Sequence, residues 1–77
     1  MDRVYADSHF WATFVENREK GYAGMRLHRR RLGTEAVVAE IIFWDAAGQF
    51  SVRTMDEVPL EIIEELIAET KTAVKTA

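Results

Sequence analysis

The chain has 77 residues, a formal net charge of −3, 48% hydrophobic residues and no cysteine. That length fits one small domain with no second core; a chain of this size buries only ~60% of its unfolded surface, so dense packing or oligomerisation must supply stability that no disulfide can add. The composition excludes thiolate chemistry and cysteine zinc sites, and its acidic balance gives no whole-molecule attraction for nucleic acid.

The charge is unevenly spread. Between Arg18 and Arg31 six basic residues stand against the single acid Glu19, whereas the chain from Asp56 onward holds six acids against Lys71 and Lys75. The first residues lack the basic start and apolar run of a secretory signal, and apolar runs such as Ile41 to Trp44 are far too short to span a bilayer. A cytoplasmic protein with no membrane partner is the expectation.

Near the N-terminus, Asp7 or Ser8 is a candidate helix cap, because either side-chain oxygen accepts orphan N–H groups of a first turn. Phe10, Trp11, Phe14 and Val15 fall on one helical stripe, a polar segment follows, and Gly21 suits the left-handed residue that ends a helix. The spacing predicts an N-terminal helix over 8–20. The competing reading is a strand with a hairpin loop from Asn17 to Gly21, because Phe-Trp-Ala-Thr-Phe-Val is rich in β-formers.

From Met25 to His28 apolar and polar residues alternate, the pattern of a strand with one face toward a core. Gly33 favours a type I turn with a glycine bulge over Arg30 to Gly33, which sets Arg30 opposite Thr34, Arg29 opposite Glu35, Leu27 opposite Val37 and Met25 opposite Ala39. The turn Asp45-Ala46-Ala47-Gly48 has the same logic and sets Trp44 opposite Phe50, Ile42 opposite Val52 and Ile41 opposite Arg53. The hairpin from Thr34 to Met55 is apolar on both sides. One face of the resulting meander carries Tyr22, Arg26, His28, Ala36, Val38, Glu40, Ile42, Trp44, Phe50 and Val52. The other carries Met25, Leu27, Val37, Ala39, Ile41, Phe43, Ser51, Arg53 and Met55.

Asp56 to Ala77 reads as a helix with Pro59 in its first turn and an apolar stripe of Ile62, Ile63, Leu66, Ile67, Ala73 and Val74. Its acids precede its lysines, which suits the helix dipole. The expected fold is therefore a small α+β domain over 1–77. It comprises a three-stranded antiparallel meander, an N-terminal helix (or, in the competing reading, a fourth strand) and a C-terminal helix packed on one face.

Arg26, His28, Arg29, Arg30 and Arg31 form a candidate anion or nucleic-acid contact, since guanidinium forks pair with phosphate. Alternate strand residues point opposite ways, however, and such a charged strand end also discourages edge-to-edge aggregation. Glu40 lies mid-strand among apolar neighbours and needs a partner; Arg26, diagonal to it in the expected register, makes a candidate buried ion pair. His9 and His28 are far apart in sequence, with no third ligand indicated. No motif for nucleophilic catalysis or phosphate cradling is present, and neither catalytic residues nor a metal or cofactor site is assigned.

A sheet with two apolar faces needs two lids, and one terminal helix supplies only one. The expectation is a non-enzymatic, homo-oligomeric interaction or regulatory module, most simply a C2 dimer, with Phe10, Trp11, Met25, Leu27, Ile41, Phe43 and Met55 as candidate interface residues. A further protein partner is compatible with this reading. The alternatives are a nucleic-acid binder using the Arg26–Arg31 strand end and a small-molecule binder with a pocket at the oligomer interface, using Glu40, Arg26 and His28.

Overall fold

The computed structural model describes residues 1–75. Its elements are β1 (Asp2–Tyr5), β2 (Ser8–Asn17), β3 (Tyr22–Arg31), β4 (Thr34–Trp44), β5 (Gln49–Thr54) and α1 (Leu60–Ala73). The five strands form one antiparallel sheet in sequence order, and α1 packs on one side of it. The architecture is α+β, with more sheet and less helix than the sequence suggested.

The expected N-terminal helix does not form. Ser8–Asn17 is a strand, paired with β3 along its whole length from Ser8 opposite Arg31 to Asn17 opposite Tyr22. Phe10, Trp11, Phe14 and Val15 fit a helical stripe and a strand equally well, and the free edge of β3 decides between them by offering backbone partners. The β-propensity of the aromatic and β-branched residues agrees with that outcome. The turn back closes at Gly21, whose φ of 72° lies in the left-handed region, while its N–H donates to the Asn17 carbonyl at 2.9 Å. The Asn17 side-chain oxygen accepts from the Lys20 N–H at 2.9 Å, a local bond that favours a turn over a helix. Strand β1, which the sequence reading did not include, pairs with β2 through the two-residue turn at Ala6 and Asp7.

The turn between β3 and β4 is tighter than expected. Leu32 and Gly33 both have positive φ (51° and 78°), as in a type I′ turn, so Arg31 rather than Arg30 faces Thr34. A bulge then shifts the register between Leu27 and His28: His28 faces Val37, Leu27 faces Ala39, and Val38 is the extra residue. Val38 and Ala39 are both buried, and the Val38 carbonyl accepts the Met55 N–H at 2.8 Å. Beyond the bulge Met25 faces Ile41 and Arg26 faces Glu40 directly.

The β4–β5 loop is one residue shorter than expected. Trp44 faces Gln49, Phe43 faces Phe50 and Ile41 faces Val52. This one-residue difference reverses every side chain of β5. Phe50 and Val52 therefore lie on the helix side, and Ser51 and Arg53 on the other. Val37 exchanges faces with Ala36 and Val38 as well.

Helix α1 begins at Leu60, with Pro59 as its N-cap residue, rather than at Asp56. The part of the expected helix at 76–77 lies outside the described residues. Ile62, Leu66, Thr70 and Val74, one turn apart, are buried against the sheet. They close a core with Phe10, Met25, Leu27, Val38, Ala39 and Ile41. The opposite flank is tied to the N-terminus, with Arg3 2.9 Å from Glu65 and the terminal ammonium of Met1 2.8 Å from Glu69.

This packing corrects the expected oligomer surface. Phe10, Met25, Leu27 and Ile41 are sealed beneath the chain's own helix, so no second copy reaches them unless α1 leaves. Trp11 lies on the opposite face. Only Phe43, half-buried, and Met55, exposed, stay at the margin of the helix side.

Candidate functional site

Cross-strand partners project to the same side of a sheet, so the pairing defines the face that α1 leaves uncovered. It carries Trp11, Thr13 and Val15 from β2 and Tyr22, Arg26, His28 and Arg30 from β3. Val37, Glu40, Ile42 and Trp44 come from β4, and Ser51 and Arg53 from β5. A surface so rich in aromatic rings and guanidinium groups is the most distinctive chemical feature of the molecule.

Two aromatic clusters lie toward its ends. Trp11 and His28 face each other across β2 and β3, with ring centroids 5.4 Å apart and planes inclined by 10°. His9 stands on the other side of Trp11 at 5.2 Å, and the Arg30 guanidinium carbon lies 5.7 Å from the centre of the Trp11 ring. His28 Nε2 and Thr13 Oγ1 share a hydrogen bond of 2.8 Å, which fixes the imidazole orientation. At the other end the Tyr22 and Trp44 rings meet at 5.1 Å.

Between the clusters sits a charged triad. Glu40 receives Arg26 Nε on one oxygen and Arg53 Nη2 on the other, each at 3.3 Å. The carboxylate is only 16% exposed, so the two guanidinium groups answer the desolvation that its position imposes. Each carboxylate oxygen is thus engaged by one guanidinium group. The bulge at Val38 places Glu40 opposite Arg26, and the shorter β4–β5 loop brings Arg53 to the same face. Next to the triad, Gly24 faces Ile42; a Cβ at Gly24 would stand 1.9 Å from the Ile41 carbonyl oxygen. Only glycine fits here, and it leaves a gap in the side-chain layer.

The five residues of the expected anion contact are not brought together. Arg26, His28 and Arg30 share the helix-free face, whereas Arg29 and Arg31 project to the helix side. Each arginine is paired: Arg29 with Asp56 at 3.0 Å, Arg31 with Asp7 at 3.3 Å, and Arg30 with Glu35. Arg29 and Arg31 line a cleft of about 480 Å³ together with Tyr5, Ser8, Asp56, Glu57 and Pro59. The Arg29 Nε is buried there without a hydrogen-bond partner among the described residues. Asp7, Asp56 and Glu57 outweigh the two guanidinium groups, so the cleft has no net attraction for an anion. The Glu57 backbone N–H and then the Arg29 guanidinium hold the Asp56 carboxyl below its usual range.

Charge is segregated between the two sides. On the helix-free face Asp2, Glu35 and Glu40 balance Arg26, Arg30 and Arg53. The acidic excess of the chain lies mainly on the helix side, in Asp56, Glu57 and the glutamates of α1. Among the described residues no group of three or more His, Cys, Asp or Glu side chains is placed to hold a metal ion, and no helix is long and apolar enough to cross a membrane.

Sequence reasoning missed Arg53, Thr13 and the pairing of Tyr22 with Trp44. A one-residue error in the β4–β5 loop put Arg53 on the wrong face, and reading β2 as a helix removed Thr13 from the sheet. Val15 was lost for the same reason. No family model, curated protein or solved structure matches this chain.

Proposed function

We propose that this chain is a small, non-enzymatic interaction module that self-associates through an apolar strip on the helix side of its sheet. The observation that carries this reading is the strip between α1 and β5. Helix α1 sits over β2, β3 and β4, and its buried row leaves the β5 flank uncovered. Val52 is 58% exposed there and Ile67 37%. A groove of about 160 Å³ between Phe50, Val52 and Ile67 is floored by Ile41.

The occupant of this strip is a second copy of the chain. Along the exposed flank of α1, Glu64 and Lys71 lie on either side of Ile67, one turn away in each direction. Two such helices placed antiparallel about a two-fold axis near Ile67 set Glu64 of each copy beside Lys71 of the other, a self-complementary arrangement suited to an isologous contact. Strand β5 adds a second self-complementary feature, because it is an edge strand with neither proline nor lysine to block pairing.

Sedimentation velocity or light scattering between low and high micromolar protein tests the proposal. The expected result is a dimer that Val52→Glu or Ile67→Glu converts to a folded monomer, since both side chains are already partly solvated in the single chain. A monomeric wild-type protein at several hundred micromolar refutes it.

A further inference from the structure

We infer that the helix-free face binds single-stranded nucleic acid by base stacking, along a track that follows β3. This inference concerns the opposite side of the sheet from the α1/β5 strip and does not depend on self-association.

On β3 the side chains reaching this face are Tyr22, Arg26, His28 and Arg30, with glycine at position 24. At ~3.3 Å per strand residue, Tyr22 and His28 lie about 20 Å apart, a span that several nucleotides of an extended strand can follow. Each end of the track carries an aromatic pair, Tyr22 with Trp44 and His28 with Trp11. Every base has a π-face, so such platforms accept bases with little regard to sequence.

The middle of the track supplies the charge. Arg26 and Arg53 share the single carboxylate of Glu40, which leaves one unit of positive charge between the aromatic pairs. Arg53 is 71% exposed, so its guanidinium can turn toward a phosphate while Arg26 keeps Glu40 paired. The bare backbone at Gly24 leaves room beside this cation for a sugar or base. Because the acids of the chain are concentrated on the helix side, a polyanion meets less repulsion on this face than on any approach over α1.

The experiment is a titration of intrinsic tryptophan emission with twelve-residue oligonucleotides, dT12 and rU12 as separate arms, backed by anisotropy of labelled oligonucleotide. Saturable quenching at 20 mM salt is expected in at least one arm, and the stronger arm identifies DNA or RNA as the preferred source of this chemistry. With about one phosphate neutralised, affinity falls about fivefold between 20 and 200 mM salt, a shallow dependence that sets stacking apart from binding by a basic groove. Trp11→Leu weakens binding at least about fivefold, and Arg53→Gln makes the salt slope shallower by about 0.7. Glu61→Gln on exposed helix surface leaves both unchanged. The Val52→Glu chain also binds, which separates this inference from the proposed dimer.

Absence of quenching and of anisotropy change in both arms at 20 mM salt and about 100 μM oligonucleotide overturns the inference. So does unchanged affinity in both Trp11→Leu and Arg53→Gln with native circular dichroism. A concentration-dependent blue shift of tryptophan emission without oligonucleotide, abolished by Arg53→Glu, also overturns it, because a second copy then occupies the face.

Discussion

Replacing Gly24 by alanine tests how closely β3 and β4 are packed beneath the candidate site. The added Cβ would lie 1.9 Å from the Ile41 carbonyl oxygen and 2.9 Å from both the Ile41 carbonyl carbon and the Ile42 Cα. All three are backbone atoms, so no rotamer change relieves the overlap. Restoring an ordinary separation of ~3.5 Å requires the strands to part by more than an ångström, which stretches the neighbouring ladder hydrogen bonds. Overpacking costs ~1–3 kcal/mol and each weakened bond up to ~1 kcal/mol, while the stiffer unfolded chain returns ~0.4–1 kcal/mol. The net loss is about 2–4 kcal/mol, against a total stability of ~4–12 kcal/mol for a chain of this length. At ~4–8 °C per kcal/mol in a domain of this size, Tm falls by at least about 8 °C in a melt followed by circular dichroism. Near-ultraviolet dichroism should change as well, because Ile42 stands opposite Gly24 and next to the Tyr22–Trp44 pair in its register. A Gly24→Ala protein that melts within about 2 °C of wild type with an unchanged aromatic spectrum refutes the close approach.

Two further outcomes follow from the charges. Glu40→Gln leaves Arg26 and Arg53 without a counter-charge; the expected loss is about 1–2 kcal/mol in urea unfolding, below the 3–5 typical of a sealed pair because Arg53 is largely solvated. A midpoint indistinguishable from wild type would show that the triad contributes nothing to stability. Asp56 is held below the 3.8 of an unperturbed carboxyl, so its charge favours the folded state above that value, and the contribution is lost as pH falls through the lower folded value. The Tm lead of wild type over Asp56→Asn should therefore be full above about pH 5 and shrink as acidification proceeds below about pH 4. A lead that stays constant down to pH 2 removes the Arg29–Asp56 interaction as its source.

Much of the helix-free face was legible before the fold was known, and parity explains why. The sequence reading placed Leu27 opposite Val37, whereas the structure places it opposite Ala39. A turn tighter by one position and a bulge at Val38 each shift the register by one. The total shift is even, so Tyr22, Arg26 and His28 remain on the face of Glu40, Ile42 and Trp44. In β5 a single shift has no second one to cancel it, and Arg53 and Val52 exchange sides. The expected interface failed for a related reason. Its apolar residues were identified as needing cover, but α1 itself covers Phe10, Met25, Leu27 and Ile41, while the uncovered apolar surface lies one strand further along.

What the sequence by itself determined was local: the β3–β4–β5 meander with its glycine turns, the amphipathic helix after Pro59, and the need of Glu40 for a cationic partner. These follow from backbone preference at Gly33 and Gly48, from the periodicity of apolar residues, and from the cost of burying a carboxylate. Only the tertiary structure decided that Ser8–Asn17 is a strand, because its stripe suits both periods and the hydrogen-bonding edge of β3 is a distant partner. It also decided the bulge at Val38 and the direction in which α1 lies across the sheet. Side-chain packing between elements far apart in the chain settles both, since one residue of register or one flank of a helix changes which surface meets water.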